Sequence, residues 1–427
     1  MNVKELITAI EQGKFDSIMT ELYGAENLAH QKERYIAAVR GYEATYGDSD
    51  ELRLFSVPGR TEVSGNHTDH NHGRVLAASI DLDIIAVASR TDDGVIAVKS
   101  EGFPEDVVTI ADIHVDPDKF ATSFAVIEGM CNGFVKHGYT VGGFRAYTTS
   151  NVFKGSGLSS SAAFEVMIGN ILRTLYHNDI DNVEIAKISQ YSENVFFGKP
   201  CGLMDQMACA YGGFISIDFA DPSEPIIDSP EFDLSALGYS LCIVDTGGNH
   251  ADLTPDYAAV PAEMKSIAKE LGGEVLRDVS KADFMARIPE LREHCGDRAV
   301  LRALHFFAEN DRVAAQKAAL EAGDLDAFFA GVRASGNSSF KYLQNVYTTK
   351  NVAEQGLSLA LCLTEEYLSG LDKTSACRVH GGGFAGTIQA FVPTESAKAL
   401  AELLDGVFGK GACHILRIRT KGAICIF

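Results

Sequence analysis

Residues 155–163 read GSGLSSSAA and run straight into FEVMIGNIL. Gly155, Ser156, Gly157, Leu158, Ser159, Ser160 and Ser161 leave a backbone with little side-chain bulk at the start of a helix predicted to reach about Tyr176. The first turn of a helix carries unpaired N–H groups and the positive end of the macrodipole, so an anion finds several donors converging on it. Gly155 and Gly157 permit close approach, and the serines add hydroxyl donors, a metal ligand or an N-cap. Such a loop suits a phosphate. Read alone, it equally suits a loop that merely caps a buried helix.

Around that loop the 427 residues allow two or three domains with real cores, and 46% hydrophobic and 22% charged residues fit a globular chain. A net charge of −21 argues against a nucleic-acid surface or binding to an anionic membrane. An anionic nucleotide would need a local site, with a cation. Nine cysteines, an odd number without any C-x-x-C pair, fit reduced thiols in the cytosol. No signal-peptide core and no apolar run of spanning length are visible, so a soluble, cytoplasmic protein is expected.

Helical spacing of Val3, Leu6 and Ile10, and of Ile18, Met19 and Leu22, with a further helix over about Leu28–Tyr46, predicts outer helices over residues 1–48. From Leu52 to Arg90 the pattern turns to β-prone runs around a polar, Gly-rich loop, Gly65 to Gly73, as in a binding site on a rigid sheet. Strands are expected at Val95–Lys99, Gly143–Thr149, Phe214–Asp218 and Tyr239–Asp245, and helices at Phe120–His137 and Val183–Phe197. Helices dominate from Tyr257 to Leu368, and a third glycine cluster, Gly381–Gly386, precedes a last strand.

No G-x-x-x-x-G-K-[ST] is present, and Ser160 stands where a dinucleotide fingerprint needs its third glycine. Asp205 is a carboxylate among small and apolar residues, suited either to a helix cap or to orienting a hydroxyl and taking its proton, with Arg60 as partner. Glu193 is either a solvated helix residue or a hard-oxygen ligand for Mg²⁺. His67, Asp69, His70 and His72 could ligate a transition metal, but hydrogen bonding to a polyhydroxylated ligand is the better reading of a loop whose spacing fixes no ligand geometry.

Taken together, PGRTEVSGNHTDHNHG (58–73), GSGLSSSAA and VHGGGFAGT (379–387) resemble the GHMP kinase family, and within it the galactokinase branch. ENVFFGKPCGLMDQ (193–206) and RALHFFAENDRVAAQKAALEAGDLDAFF (302–329) are similar to segments of that branch too, so the likeness runs from about Tyr42 to the C-terminus. The resemblance implies a two-domain α+β fold with the active site between the domains: a helical extension 1–48, an N-terminal domain 49–232 and a C-terminal domain 233–427. It implies ATP-dependent phosphorylation of the anomeric hydroxyl of galactose or a closely related sugar. Asp205 would be the catalytic carboxylate with Arg60 beside it; Asn66, His67, Asp69, Gly202 and Tyr257 would line the sugar; residues 155–161 would hold ATP; and Ser161 and Glu193 would lie near Mg²⁺.

Several positions depart from the family pattern. Asn66 replaces the glutamate of G-E-H-T-D-Y, which in the family contacts the sugar's C6 hydroxyl, and His70 replaces its tyrosine; Ala385 and Thr387 replace glycine and cysteine in the third motif. The neutral Asn66 removes one acceptor and one negative charge, and is expected to tolerate a different C6 substituent, even the carboxylate of galacturonate. Some relatives in this branch are idle sugar sensors that can lack phosphate-loop residues. Here SSSAA is complete and both Arg60 and Asp205 are present.

Overall fold

The computed structural model describes residues 1–153, 157–199, 201–248 and 253–427. Its strands are β1 (Arg53–Ser64), β2 (Arg74–Arg90), β3 (Val95–Ser100), β4 (Glu105–Thr109), β5 (Phe144–Ser150), β6 (Phe214–Asp218), β7 (Ile226–Asp228), β8 (Tyr239–Asp245), β9 (Ala376–His380), β10 (Thr387–Pro393), β11 (Cys413–Leu416) and β12 (Ile424–Cys425). Eight of them form one sheet in the order β12-β1-β2-β5-β3-β4, with β6 on β2 and β7 on β6; the second sheet runs β11-β8-β10-β9.

The long strand β2 organises the first sheet because its two halves pair differently: residues 74–78 face β6, and residues 84–90 face β5. Both sides of the sheet are covered. Leu54, Ile85 and Val87 pack under the N-terminal helices, whereas Phe55, Ile84, Ala86 and Ala88 pack into the main core with the helices Ser123–Lys136 and Ser160–Leu175. Alternate residues of a strand point to opposite faces, so the neighbours Leu54 and Phe55 are both apolar and each enters a different core.

Residues 3–46 form the expected outer helices, Val3–Glu11, Asp16–Tyr23 and Leu28–Tyr46. The helix predicted at Val183–Phe197 is Asn182–Tyr191 followed by a wider π-helical turn, Ser192–Phe197, that stops at Gly198. Strands β4, β7, β9, β11 and β12 were not anticipated. They are short or lie at sheet edges, where few apolar residues are needed to hold them. Among the described residues no helix is long and apolar enough to cross a membrane.

One carboxylate ties the outer helices to the sheet. Asp83 is fully buried and accepts hydrogen bonds from Arg34 (2.6 Å), Tyr23 (2.5 Å), Arg419 (3.2 Å) and Ser56. Burial alone would push Asp83 up, but the Arg34 and Arg419 guanidinium groups outweigh it and hold the carboxyl below its ordinary value. The stability it contributes is therefore present above the ordinary carboxylate value near 3.9 and lost as pH falls through the lowered folded one. Asp83→Asn, which leaves two buried guanidinium groups short of a counter-charge, is expected to destabilise the protein by about 3–5 kcal/mol at pH 7. Urea unfolding of wild type and variant measures this.

Candidate active site

Strand β1 delivers the first side chains. Arg60 and Glu62 stand two residues apart and therefore on one side of the strand, and both line a cavity of about 320 Å³. The β1–β2 register slips between Pro58 and Arg60 and again between Glu62 and Ser64, so irregular pairing flanks both residues. Bulges of this kind re-aim side chains beside active sites.

Arg60 is the junction. Its Nε donates to Asp205 Oδ1 at 2.7 Å, its Nη1 donates to the Gly157 carbonyl, and its backbone N–H donates to the Leu158 carbonyl at 3.1 Å. Asp205, in the first turn of the helix Met204–Tyr211, also accepts the Ser159 hydroxyl at 2.5 Å. Ser159 sits at the N-cap position of Ser160–Leu175 with a left-handed backbone, φ 58°, but its side chain serves Asp205 rather than the helix. Burial would raise Asp205; the charge and hydrogen bond of Arg60, then the Ser159 hydroxyl, outweigh it and hold the carboxyl below its ordinary range. The carboxylate still keeps 35% of its surface, so it is paired yet reachable from the cavity.

The turn after β1 is held from behind by the helix Asp297–Ala322. Glu309 accepts from the Gly65 N–H (2.9 Å) and the Ser64 hydroxyl (3.1 Å), His305 donates through Nε2 to the Asn66 carbonyl (2.9 Å), and Asn310 accepts the Arg74 N–H (2.7 Å). Positions 305 and 309 share one helix face. His67, at φ 60°, donates to the Gly382 carbonyl at 2.9 Å and packs on the Tyr257 ring, centroids 5.0 Å apart. The third glycine motif thus closes over the first. The loop that opens the helix Ser160–Leu175 reaches it as well: a Cβ on Gly157 would stand 3.3 Å from His380 at the end of β9.

All seven residues predicted for catalysis and sugar binding line this one cavity: Arg60, Asn66, His67, Asp69, Gly202, Asp205 and Tyr257. A Cβ on Gly202 would strike the Asp69 carboxylate and force it to move aside. Tyr257 is 44% exposed at the mouth. Of the expected ATP loop, Gly155 and Ser156 lie outside the described residues; Gly157, Leu158 and Ser159 meet Arg60 and Asp205, while Ser160 and Ser161 open the helix Ser160–Leu175, with Ser161 exposed. Ser161 and Glu193 do not line the cavity. Glu193 is buried, accepting from Lys199 (3.2 Å) and Gln206 (3.0 Å). His70 stays 4.0 Å from Asp69.

One expectation needs correction. Asn66 was expected to leave this end of the site one negative charge short, but Glu62 puts a carboxylate there. Asn66 Nδ2 donates to Glu62 Oε1 at 2.7 Å and to the Gly381 carbonyl at 2.8 Å, while its Oδ1 accepts from Asn345 at 2.7 Å. Burial pushes Glu62 up, and Arg378, Arg60 and the Asn66 amide only partly offset it. Sequence reasoning also missed Glu165, whose Oε2 accepts from Gln206 at 3.1 Å and whose Oε1 is buried without a hydrogen-bond partner among the described residues. Burial, then the neighbouring Glu193 charge, drives Glu165 well above the usual carboxylate value. Its position four residues after Ser161, on the same helix face, was the available signal.

Residues 40–90 match the family described as galactokinase galactose-binding signature, and residues 124–213 the GHMP kinases N terminal domain. A galactokinase of Streptomyces coelicolor is 30% identical over 384 residues, covering 88% of this chain and 94% of that protein. One from Actinobacillus pleuropneumoniae serotype 3 is 30% identical over 383 residues, covering 87% and 93%. Among solved structures, Lactococcus lactis galactokinase complexed with galactose superposes with a TM-score of 0.77 at 23% identity, over 92% of this chain and 99% of that one. A mevalonate kinase gives 0.60 at 15% identity, over 86% and 99%.

Burial pushes both His67 and His305 down to about 3. Each stays neutral in the folded protein, so the stability it protects is complete above about 6.5, the unfolded value, and is lost as pH falls from there towards 3. The stability gap between wild type and His305→Gln should therefore shrink as pH drops from 6 to 4.5, by up to about 1.4 kcal/mol per pH unit. Denaturant melts at stepped pH values measure it.

Proposed function

Because the chain belongs to the galactokinase branch of the GHMP kinase family and is a sugar kinase, we propose that it transfers the γ-phosphoryl group of ATP to the anomeric hydroxyl of galactose or a closely similar neutral hexose. The products are the sugar 1-phosphate and ADP. The observation that carries the reading is the Arg60–Asp205–Ser159 junction, where a reachable carboxylate on the cavity wall touches the loop that opens the helix Ser160–Leu175. The cavity draws Arg60 and Asp205 from residues 49–232 and Tyr257, Gly381 and Gly382 from residues 233–427, which supports a two-domain division with the site between.

Asp205 orients the anomeric hydroxyl by accepting its hydrogen bond. A carboxyl held below its ordinary range is a weak base, so the proton passes to it late, as the sugar oxygen bonds to phosphorus and the β,γ-bridging P–O bond breaks. Arg60 keeps the carboxylate ionised and aligned, and stabilises charge growing on the attacking oxygen. Gly157 to Ser161 offer backbone donors at a helix N-terminus to the phosphates.

Magnesium fits the residues beside the loop. Glu165 carries a buried, unpartnered oxygen, Glu193 shares the Gln206 amide with it, and Ser161 lies one turn before Glu165, a set of hard oxygen donors. Bound there, the ion would neutralise charge on the phosphate oxygens.

Measurement of ADP release over a panel of neutral hexoses and mevalonate tests the assignment: turnover with galactose is expected, and silence with every sugar would contradict it. Asp205→Asn should lower kcat by about 10²–10⁴-fold while leaving the KM for ATP within a few-fold. Near-normal turnover would remove Asp205 from the chemistry.

A further inference from the structure

Glu62 lines the cavity yet takes no part in the transfer derived above. Its Oε1 is fixed by Asn66 Nδ2 at 2.7 Å and lies 3.6 Å from Arg378 Nη2. Its Oε2 has no hydrogen-bond partner among the described residues. The Asn66 amide cannot serve a ligand in its place, because Nδ2 is spent on Glu62 and Gly381 and Oδ1 on Asn345 and Ser339. Arg378 is fully buried and does not line the cavity: its Nε and Nη1 donate to the carbonyls of Val379 and Val63, at 2.9 Å each, and Nη1 also to Ser335 at 3.0 Å, while Nη2 has no hydrogen-bond partner among the described residues. Of this cluster, Glu62 Oε2 is the acceptor left for a ligand, with the Asp69 carboxylate also on the cavity wall.

The Cα atoms of Arg60 and Glu62 stand about 7 Å apart along the strand, so one cavity wall carries the Arg60–Asp205 pair and the Glu62 carboxylate at two separate points. With the anomeric hydroxyl at Asp205, Glu62 meets the far end of the sugar. We propose that Glu62 determines specificity there: Oε2 accepts a hydrogen bond from a hydroxyl remote from the anomeric carbon, and its charge excludes sugars that carry a carboxylate at that end. Asn66 acts through Glu62 as a positioning residue. The inference rests on the reading of the site as a neutral-hexose kinase, and it reverses the tolerance for galacturonate that a neutral Asn66 implied.

The electrostatics agree. Glu62, Asp69 and Asp205 all border the cavity, whereas Arg60 is taken up by Asp205, Lys199 by Glu193 and the buried Arg378 by Glu62. A uronate would add a fourth carboxylate to this wall, and like charges brought together without a counter-ion are strongly disfavoured.

The test compares kcat/KM for galactose and galacturonate on wild type, Glu62→Gln and Glu62→Asp. Wild type should prefer galactose by at least about 100-fold. Glu62→Gln keeps an oxygen for Asn66 but turns the cavity-facing acceptor into an amide donor, so the preference should fall at least tenfold, mainly through KM. Glu62→Asp keeps the charge and should keep the preference. Both sugars are read on one preparation, so loss of folded enzyme cancels in the ratio. An unchanged ratio in Glu62→Gln would overturn this inference alone; wild type using galacturonate as well as galactose would overturn it together with the restriction to neutral hexoses, leaving the phosphoryl transfer standing. Wild-type silence on galactose would overturn the functional reading and this inference together.

Discussion

Everything in the cavity depends on the contact between the Arg60 guanidinium and the Asp205 carboxylate. Arg60 is almost wholly buried, so its charge needs a partner, and Asp205 supplies it at 2.7 Å. The same guanidinium also holds the Gly157 carbonyl, and the Arg60 N–H holds that of Leu158. Three segments separated by nearly 150 residues of chain are thereby set against one another. The pair is worth less than a fully buried one because water still reaches part of Asp205. That remaining access is what leaves the carboxylate available to a hydroxyl.

The two ends of the site solve opposite electrostatic problems. On the proposed reading, the sugar end presents carboxylates and backbone carbonyls as acceptors, which suits a neutral polyol and disfavours an anion. At the phosphate end the chain has to attract a polyanion despite a net charge of −21. It offers the N-terminus of Ser160–Leu175 there, with the carboxylates Glu165 and Glu193 beside it where a hard cation would be held. The helix Asp297–Ala322 braces the turn after β1 through His305, Glu309 and Asn310.

The fold class and the meeting of the three glycine-bearing motifs came from the family resemblance the motifs carry, not from the residues themselves. The motifs were legible because each combines rare local requirements: small residues for close approach, a helix start, a single acid or base in an apolar run. Arg60 and Asp205 stand out for that reason. Glu62 did not, since a lone acid in a strand looks solvated until β1 is seen packed beneath Arg378 and Asn66. Asn66 misled in the same way. Its substitution reads as a lost charge along the chain, whereas in space the charge sits four residues earlier. The outer helices were visible from their periodicity, but not the Tyr23 and Arg34 contacts to Asp83, which connect residues 49 or more apart.

A double-mutant cycle on Arg60→Gln and Asp205→Asn, read in kcat with galactose and ATP, measures directly whether these two side chains act as one unit. Residues acting as one unit are strongly non-additive, so the double variant should be hardly slower than Asp205→Asn alone. Two losses that multiply independently would contradict the placing of this pair at the centre of the site.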